Sequence, residues 1–241
     1  MARPDVGEGV SEPTSWQLRD AIRPGVSALK RYWAPFLLIQ ICCALLVVAY
    51  YQLISVREWA DAIGDIKDRW GILFSGLGGF IAGGVIPEIA KAITGRNKTF
   101  DRQWLASTAF NGFVYLVIAI QVDLFYRFQG YVFGEGIDVG TILIKTLVDQ
   151  LIFSPALCMP TGVVLFDWRA ARFSVPKTVA GIHRVWYRTR VLPAVIPGLA
   201  FWGPFLLALY ALPGPLQMPF ALLGEAAWSL LFVFIATQEA G

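Results

Sequence analysis

Six stretches of the chain are long and apolar enough to cross a bilayer, and the basic residues between them fall on alternate sides. Residues 34–54, 72–94, 105–127, 140–166, 191–211 and 216–236 each approach or exceed the roughly 20 residues with which a helix spans about 30 Å of hydrocarbon. With six crossings, one side receives Arg3, Arg19, Arg23, Lys30 and Arg31, then Lys91, Arg96, Lys98 and Arg102, then Arg169, Arg172, Lys177, Arg184, Arg188 and Arg190. The other receives Arg57, Lys67, Arg69 and Arg127, while Lys145 falls inside a span. Fifteen basic residues against four, read by the positive-inside rule, place both termini on the cytosolic side or its equivalent. The expected fold class is an all-α integral membrane protein with about six transmembrane helices in one bundle.

Composition agrees. Hydrophobic residues make up 56% of the chain and charged ones 15%, against about 25% charged in a soluble domain, and mean hydropathy is +0.59. Residues 1–33 read as a polar cytosolic-side segment, 34–236 as a single transmembrane domain and 237–241 as a short tail. The lipid bilayer is the expected partner. The net charge of +3 follows from topology, and no aromatic-basic platform for nucleic acid is visible. Cys42, Cys43 and Cys158 all fall within spans, where thiols behave as small apolar groups. Neither a disulfide framework nor a zinc spacing follows. Asp5, Glu8, Glu12 and Asp20 distinguish the N-terminal segment from a secretory signal and from an acid-poor transit peptide, so the first span is expected to stay. Trp33, Trp59, Trp70, Trp104 and Trp168 lie at or just beyond span ends, the level an amphipathic ring prefers. Between residues 177 and 190, Val179, Ile182, Val185 and Trp186 recur at helical spacing opposite Lys177, Arg184 and Arg188, which reads as a short interfacial amphipathic helix. Its basic face marks topology, with anionic-lipid sensing as the rival reading.

Two spans are marked by small residues or breakers. Ser75, Gly79 and Gly83 recur every fourth residue, a register that lets another helix approach closely. Intramolecular packing is the expected use, with a homo-oligomer seam as the alternative. Pro155 and Pro160 in the fourth span, and Pro193, Pro197 and Pro204 in the fifth, each remove a backbone donor and are read as helix kinks.

Chemistry, if there is any, lies in the polar residues inside the spans. Asp123, Lys145, Asp149, Gln150 and Glu225 sit at depth, with Glu88 and Asn111 shallower, and ionised groups there need a partner or water. Lys145 and Asp149 are four apart and share one α-helical face. Spans 3 and 4 are expected to be antiparallel neighbours, which sets Asp123 level with Lys145 and yields an intramembrane triad. Glu225 enters to about the depth of Asp149. A polar lumen lined by spans 3, 4 and 6 fits this arrangement, and so does a set of purely structural ion pairs.

Lys145, Asp149, Gln150, Phe153 and Pro155 in KTLVDQLIFSP resemble the K-x-x-x-D-Q-x-x-F-x-P signature of the Mpv/Sym-type family of peroxisomal and mitochondrial inner-membrane proteins. The resemblance covers about residues 59–236. GGVIPEIAKAITGR occupies the place of the family's G-D-x-x-x-Q segment, with Gly83 matching and Glu88 at the glutamine; Phe125 and Tyr126 stand at its Trp-Tyr, and Asp123 where it often has His. Pro193 and Pro204 keep the spacing of its W-P to V-P stretch, and Trp228 with Ser229 is similar to its terminal W-N. Gly84, Ala119, Ile120, Ile196 and Leu199 depart from it, an extra stretch separates the last two spans at Leu212 to Gln217, and span 1 has no counterpart in short members. The resemblance implies a small multi-pass protein that forms a channel or serves organelle membrane homeostasis, in the mitochondrial inner or the peroxisomal membrane. The acid-bearing N-terminus leaves a bacterial cytoplasmic membrane as an alternative. The departures in the fifth span remove polar positions and weaken the channel inference.

Three functions compete: a pore for small solutes built on Asp123, Lys145, Asp149, Gln150 and Glu225; a non-transporting scaffold in which the same residues pair in a dry core; and an intramembrane enzyme. No G-x-S-x-G elbow or paired His-Glu metal motif is present, and a dyad of Ser75 with His183 is all that composition offers. The chain is expected to be no enzyme and to use no cofactor or metal.

Overall fold

The computed structural model describes residue 30 and residues 33–94 and 100–238. Arg3, Arg19, Arg23, Arg31, Arg96 and Lys98, most of segment 1–33 and residues 239–241 of the tail lie outside the described residues. All the regular structure among the described residues is helical.

Helix α1 spans Trp33–Gln52 and α2 spans Ile54–Trp70, separated by Leu53 alone. Arg57 turns back to cap α1, donating to the carbonyls of Tyr50 (3.3 Å) and Tyr51 (2.9 Å). Such a cation at a helix C-terminus satisfies carbonyls that have no amide left to meet. Gly71, at φ 55°, makes the turn into α3, Ile72–Ile93. Helix α4 covers Arg102–Phe133 and is started by Asp101, whose carboxylate accepts the Trp104 amide at 2.8 Å. Helix α5 covers Val139–Ala170 and is started by Asp138, which accepts from the Thr141 amide at 3.1 Å. The short α6 (Val175–Gly181) follows, then α7 (Leu192–Tyr210) and α8 (Gly214–Gln238).

Four of these, α1, α3, α4 and α5, are long and apolar enough to cross a membrane. Their outward rows are apolar: Leu37, Leu38, Ile41 and Leu45 on α1, and Leu143, Leu147, Leu151 and Ile152 on α5, all stand exposed. The core lies around α7, where Phe201, Phe205, Leu206, Leu209 and Tyr210 are fully enclosed between α1, α5 and α8. Phe201 meets Phe36 of α1 edge-on and Phe205 stacks on Phe220 of α8.

The small-residue row of α3 is used inside the chain. It packs along α4 so closely that a Cβ at Gly79 would stand 2.6 Å from the Tyr115 carbonyl, and one at Gly84 2.6 Å from the Gly112 amide nitrogen. Gly83 faces the Tyr115 ring, and Ser75 is fully buried.

Two expectations are corrected. The stretch between the first two spans, to which the sequence reading assigns no helix, is α2. Ala60, Gly64 and Lys67 of α2 turn to the bundle, with Gly64 against Leu216 and Pro215 of α8. Its outer face carries Trp59 (77% exposed), Ile63, Ile66 and Trp70, so the amphipathic helix of the fold lies here. The segment 177–190, expected to be that helix, stops at Gly181; Ile182 is extended (φ −83°, ψ 85°) and a turn leads to π-wound Tyr187–Val191. A glycine in mid-segment loses the most backbone freedom on helix formation, which favours ending the helix there.

The prolines produce wide turns with partners built for them. Phe80–Val85 in α3 and Asp149–Cys158 in α5 are π-wound, with the Ile86 amide bonding Ile81 and the Met159 amide bonding Ser154. In that register the carbonyl of Ala82 is owed the amide of residue 87, and that of Pro155 the amide of residue 160; both positions are proline and have none to give. Side chains fill the gaps. The Ser229 hydroxyl, whose one proton is shared with the Ala226 carbonyl of its own helix at 2.9 Å, reaches Ala82 at 3.1 Å, and the Tyr187 hydroxyl donates to Pro155 at 2.9 Å. At these two carbonyls the sequence rule that a broken helix needs a neighbour to satisfy it is met.

Candidate functional site

The charged residues inside the bundle fall chiefly into two groups, one around Asp123 and one in the wall of a chamber. The first is centred on Asp123 of α4, 2% exposed. Its carboxylate receives Lys67 of α2 at 3.0 Å, the Ser75 hydroxyl of α3 at 2.9 Å, and Arg127, one turn along α4, at 3.3 and 3.4 Å. Four donated bonds from three helices make a closed structural clasp. Ser75 is thereby engaged, and His183 is exposed in the turn after α6. Glu88 is likewise paired, with Lys91 at 2.6 Å.

The expected triad of Asp123, Lys145 and Asp149 is not assembled. Lys145, 2% exposed, makes no ion pair among the described residues; its ammonium lies 5.9 Å from the centre of the Tyr210 ring. The Tyr210 hydroxyl donates to Asp149 at 2.7 Å and accepts from Gln129 at 2.7 Å. An aromatic side chain of α7 thus stands between two residues that α-helical spacing would have joined. The turn between them is α-helical, with the Asp149 amide bonding the Lys145 carbonyl, so i, i+4 spacing brings the two to one face but does not pair them: Asp149 takes the Tyr210 hydroxyl instead.

The second group lines a chamber of about 450 Å³ bounded by α3, α4, α5, α7 and α8. Its wall includes Asp149, Gln150 and Glu225, and does not include Asp123, Lys145 or Glu88. The buried oxygens Gln150 Oε1 and Glu225 Oε1 have no hydrogen-bond partner. Gly79 and two of the prolines, Pro193 and Pro197, also face the chamber. The wide turn of α5 presents Asp149, Gln150, Phe153, Ser154 and Cys158 to the chamber in one segment. Of the other prolines, Pro155 lies inside that turn, Pro160 opens the α-helical part after it, and Pro204 lies within α7.

Sequence reasoning missed Lys67, Arg127, Tyr210, Tyr115 and Tyr126 as members of these clusters. Lys67 was readable, since it follows Ala60 and Gly64 at helical spacing on the bundle side of α2. The tyrosines carried no signal apart from their apolar neighbours.

At the end where α4 begins and α5 ends, Arg169 donates to Ser107 at 2.7 Å and to Asn111 at 3.5 Å and lies over the Phe110 ring at 4.8 Å. Asp167 accepts from the Trp186 indole at 2.9 Å and pairs with Arg190. Basic side chains there are tied to the bundle rather than to the chamber. No group of metal-binding side chains occurs among the described residues. Neither a family model, a curated protein nor a solved structure matches the chain.

Proposed function

We propose that this chain is a multi-pass membrane protein, crossing the bilayer six times with both termini on the basic side, and that its chamber admits small solutes. Supporting the crossings are four helices of sufficient length and apolarity, their exposed apolar rows, and two further helices of 19 and 25 residues, α7 and α8. Large exposed apolar surfaces on a folded chain call for lipid or a partner.

The observation that carries the solute reading is the meeting of two buried unpartnered oxygens, on Gln150 and Glu225, in one chamber wall. Burying an amide or carboxyl without a partner costs roughly 2–7 kcal/mol; Asp123 and Glu88 are paired, while Gln121, Gln129 and Thr146 each keep a buried oxygen unpartnered away from the chamber. The unpartnered oxygens of Gln150 and Glu225 instead lie in the wall of one chamber, where water or a solute would meet them. A non-transporting scaffold is the competing reading, and the Asp123 clasp is the part of the fold that favours it. Kinship with the Mpv/Sym-type family, and with it a mitochondrial inner or peroxisomal membrane, is part of this proposal and rests on Lys145, Asp149, Gln150, Phe153 and Pro155.

The test is solute flux. Purified protein reconstituted in planar bilayers or liposomes should pass small solutes, and Glu225→Gln and Asp149→Asn should change the rate or selectivity while the protein stays folded. Absence of flux, with both variants unfolding, would transfer the assignment to the scaffold.

A further inference from the structure

The chamber wall carries acidic and aromatic side chains and no Lys, Arg or His. Asp149 of α5 and Glu225 of α8 approach it from different helices, with the Gln150 amide beside them. Gln150 is 7% exposed and its carbonyl oxygen has no partner. The nearby cations are held elsewhere: Lys145 behind the Tyr210 ring, Lys67 and Arg127 on Asp123. The same wall holds Tyr115, Phe153, Trp202 and Trp228, with one face of Phe153 stacked on Phe125. Aromatic faces are electron-rich and attract a cation by about 0.5–2 kcal/mol each, more as water is excluded. The rest of the wall is aliphatic, including Ile118, Val122 and Leu206. A chamber of about 450 Å³ is of a size that suits a small organic molecule.

We propose that the chamber binds a small organic cation, an ammonium head on a compact apolar body, with the head at Asp149, Gln150 and Glu225 and the body against the aromatic wall. This rests on the solute-chamber reading and gives it a substrate class. Two carboxyls in a wall that holds no basic side chain disfavour an anion, and an entirely polar solute would leave the aliphatic wall dry and unused.

Cys158 lines the same chamber and reports on it. In a Cys42→Ala/Cys43→Ala background it is the one remaining thiol of three. Protein in lipid nanodiscs is treated with three methanethiosulfonate reagents, neutral (methyl), cationic (trimethylammonioethyl) and anionic (sulfonatoethyl), and each rate is divided by that for a free thiol. The cationic reagent should react at least about tenfold faster than the anionic one, as expected for charged groups lining a confined path. Asp149→Asn/Glu225→Gln should remove most of that preference. In the unsubstituted wall, 2-phenylethylammonium should slow labelling and 2-phenylethanol at equal concentration should not.

Labelling by the neutral reagent with no cationic preference and no protection by the ammonium would overturn the proposal and leave the chamber standing. If even the neutral reagent fails to reach Cys158, the solute-chamber reading falls as well. Should the double variant not fold, the protection experiment decides alone, because it leaves the wall carboxyls in place.

Discussion

Removing the ammonium of Lys67 should destabilise this protein far more than removing any other charge on α2. Asp123 is 2% exposed and the Lys67 side chain 7%, at 3.0 Å. Deleting one partner of a buried pair costs about 3–5 kcal/mol, because the other charge stays behind. After Lys67→Met, the carboxylate would retain Ser75 and Arg127. Arg127 is 55% exposed and reaches it at 3.3 Å, so it compensates little, and Arg127→Met alone should cost no more than about 1 kcal/mol. Lys67→Met/Asp123→Leu removes both charges and should recover at least about 2 kcal/mol relative to the sum of the single changes. Lys145 shares no partner with Asp123, so Lys145→Met and Asp123→Leu should add within about 0.5 kcal/mol. Reversible unfolding in mixed micelles, followed by tryptophan fluorescence, measures both cycles. A Lys67–Asp123 coupling near zero, or a larger Lys145–Asp123 coupling, would refute the clasp.

Ser229→Ala should cost about 1 kcal/mol, near the average-to-upper range of hydrogen bonds measured between membrane helices, because the Ala82 carbonyl it serves has no amide available; unfolding titrations would show it, and a neutral substitution would contradict the role. Asp138→Ala should weaken the start of α5 in a pH-dependent way. Hydrogen bonds from the Thr141 hydroxyl and amide hold the Asp138 carboxyl below its ordinary 3.8. A folded-state value depressed in this way contributes stability above the unfolded value of about 3.9 and loses it as pH falls through the folded one. The difference in melting temperature between wild type and Asp138→Ala should therefore be constant near neutrality and shrink below pH 3.8; a difference that grows on acidification would contradict it.

Hydropathy made the long helices legible because α1, α3, α4 and α5 owe their existence to length and apolarity. It concealed α2, where Arg57, Glu58, Asp61, Asp65 and Asp68 dilute any spanning-length average. A shorter periodic reading would have exposed Trp59, Ile63, Ile66 and Trp70 on one face and Ala60, Gly64 and Lys67 on the other. In residues 177–190 periodicity misled for the opposite reason: the spacing is right, but Gly181 ends the helix. The pairing of Lys145 was beyond spacing arguments: the turn from Lys145 to Asp149 is α-helical, yet Asp149 takes the Tyr210 hydroxyl, and the winding changes only after it. That change did leave a trace. Proline five residues after a carbonyl, Pro87 after Ala82 and Pro160 after Pro155, marks a carbonyl that a π turn cannot satisfy, and each is met by a hydroxyl from another element.

The contrast between Asp123 and Glu225 also says how to tell a wet chamber from a dry one without measuring transport. Asp123 has its donors; Glu225 makes no hydrogen bond or ion pair among the described residues, and its buried Oε1 is unpartnered. In a dry core that carboxyl would be a standing penalty of several kcal/mol. Glu225→Leu, close to it in volume, would then stabilise the protein by about 2 kcal/mol or more, as replacement of buried ionic groups by apolar ones can do. In a water-filled chamber the carboxyl keeps its hydration in the folded state, so the same change should move stability by less than about 1 kcal/mol. Labelling of Cys158 by the neutral thiol reagent should meanwhile slow, because an apolar side chain replaces a hydrated one in the wall it shares. A gain of 2 kcal/mol or more with labelling unchanged would mean that Glu225 never met water, and the chamber would be a packing void of the scaffold.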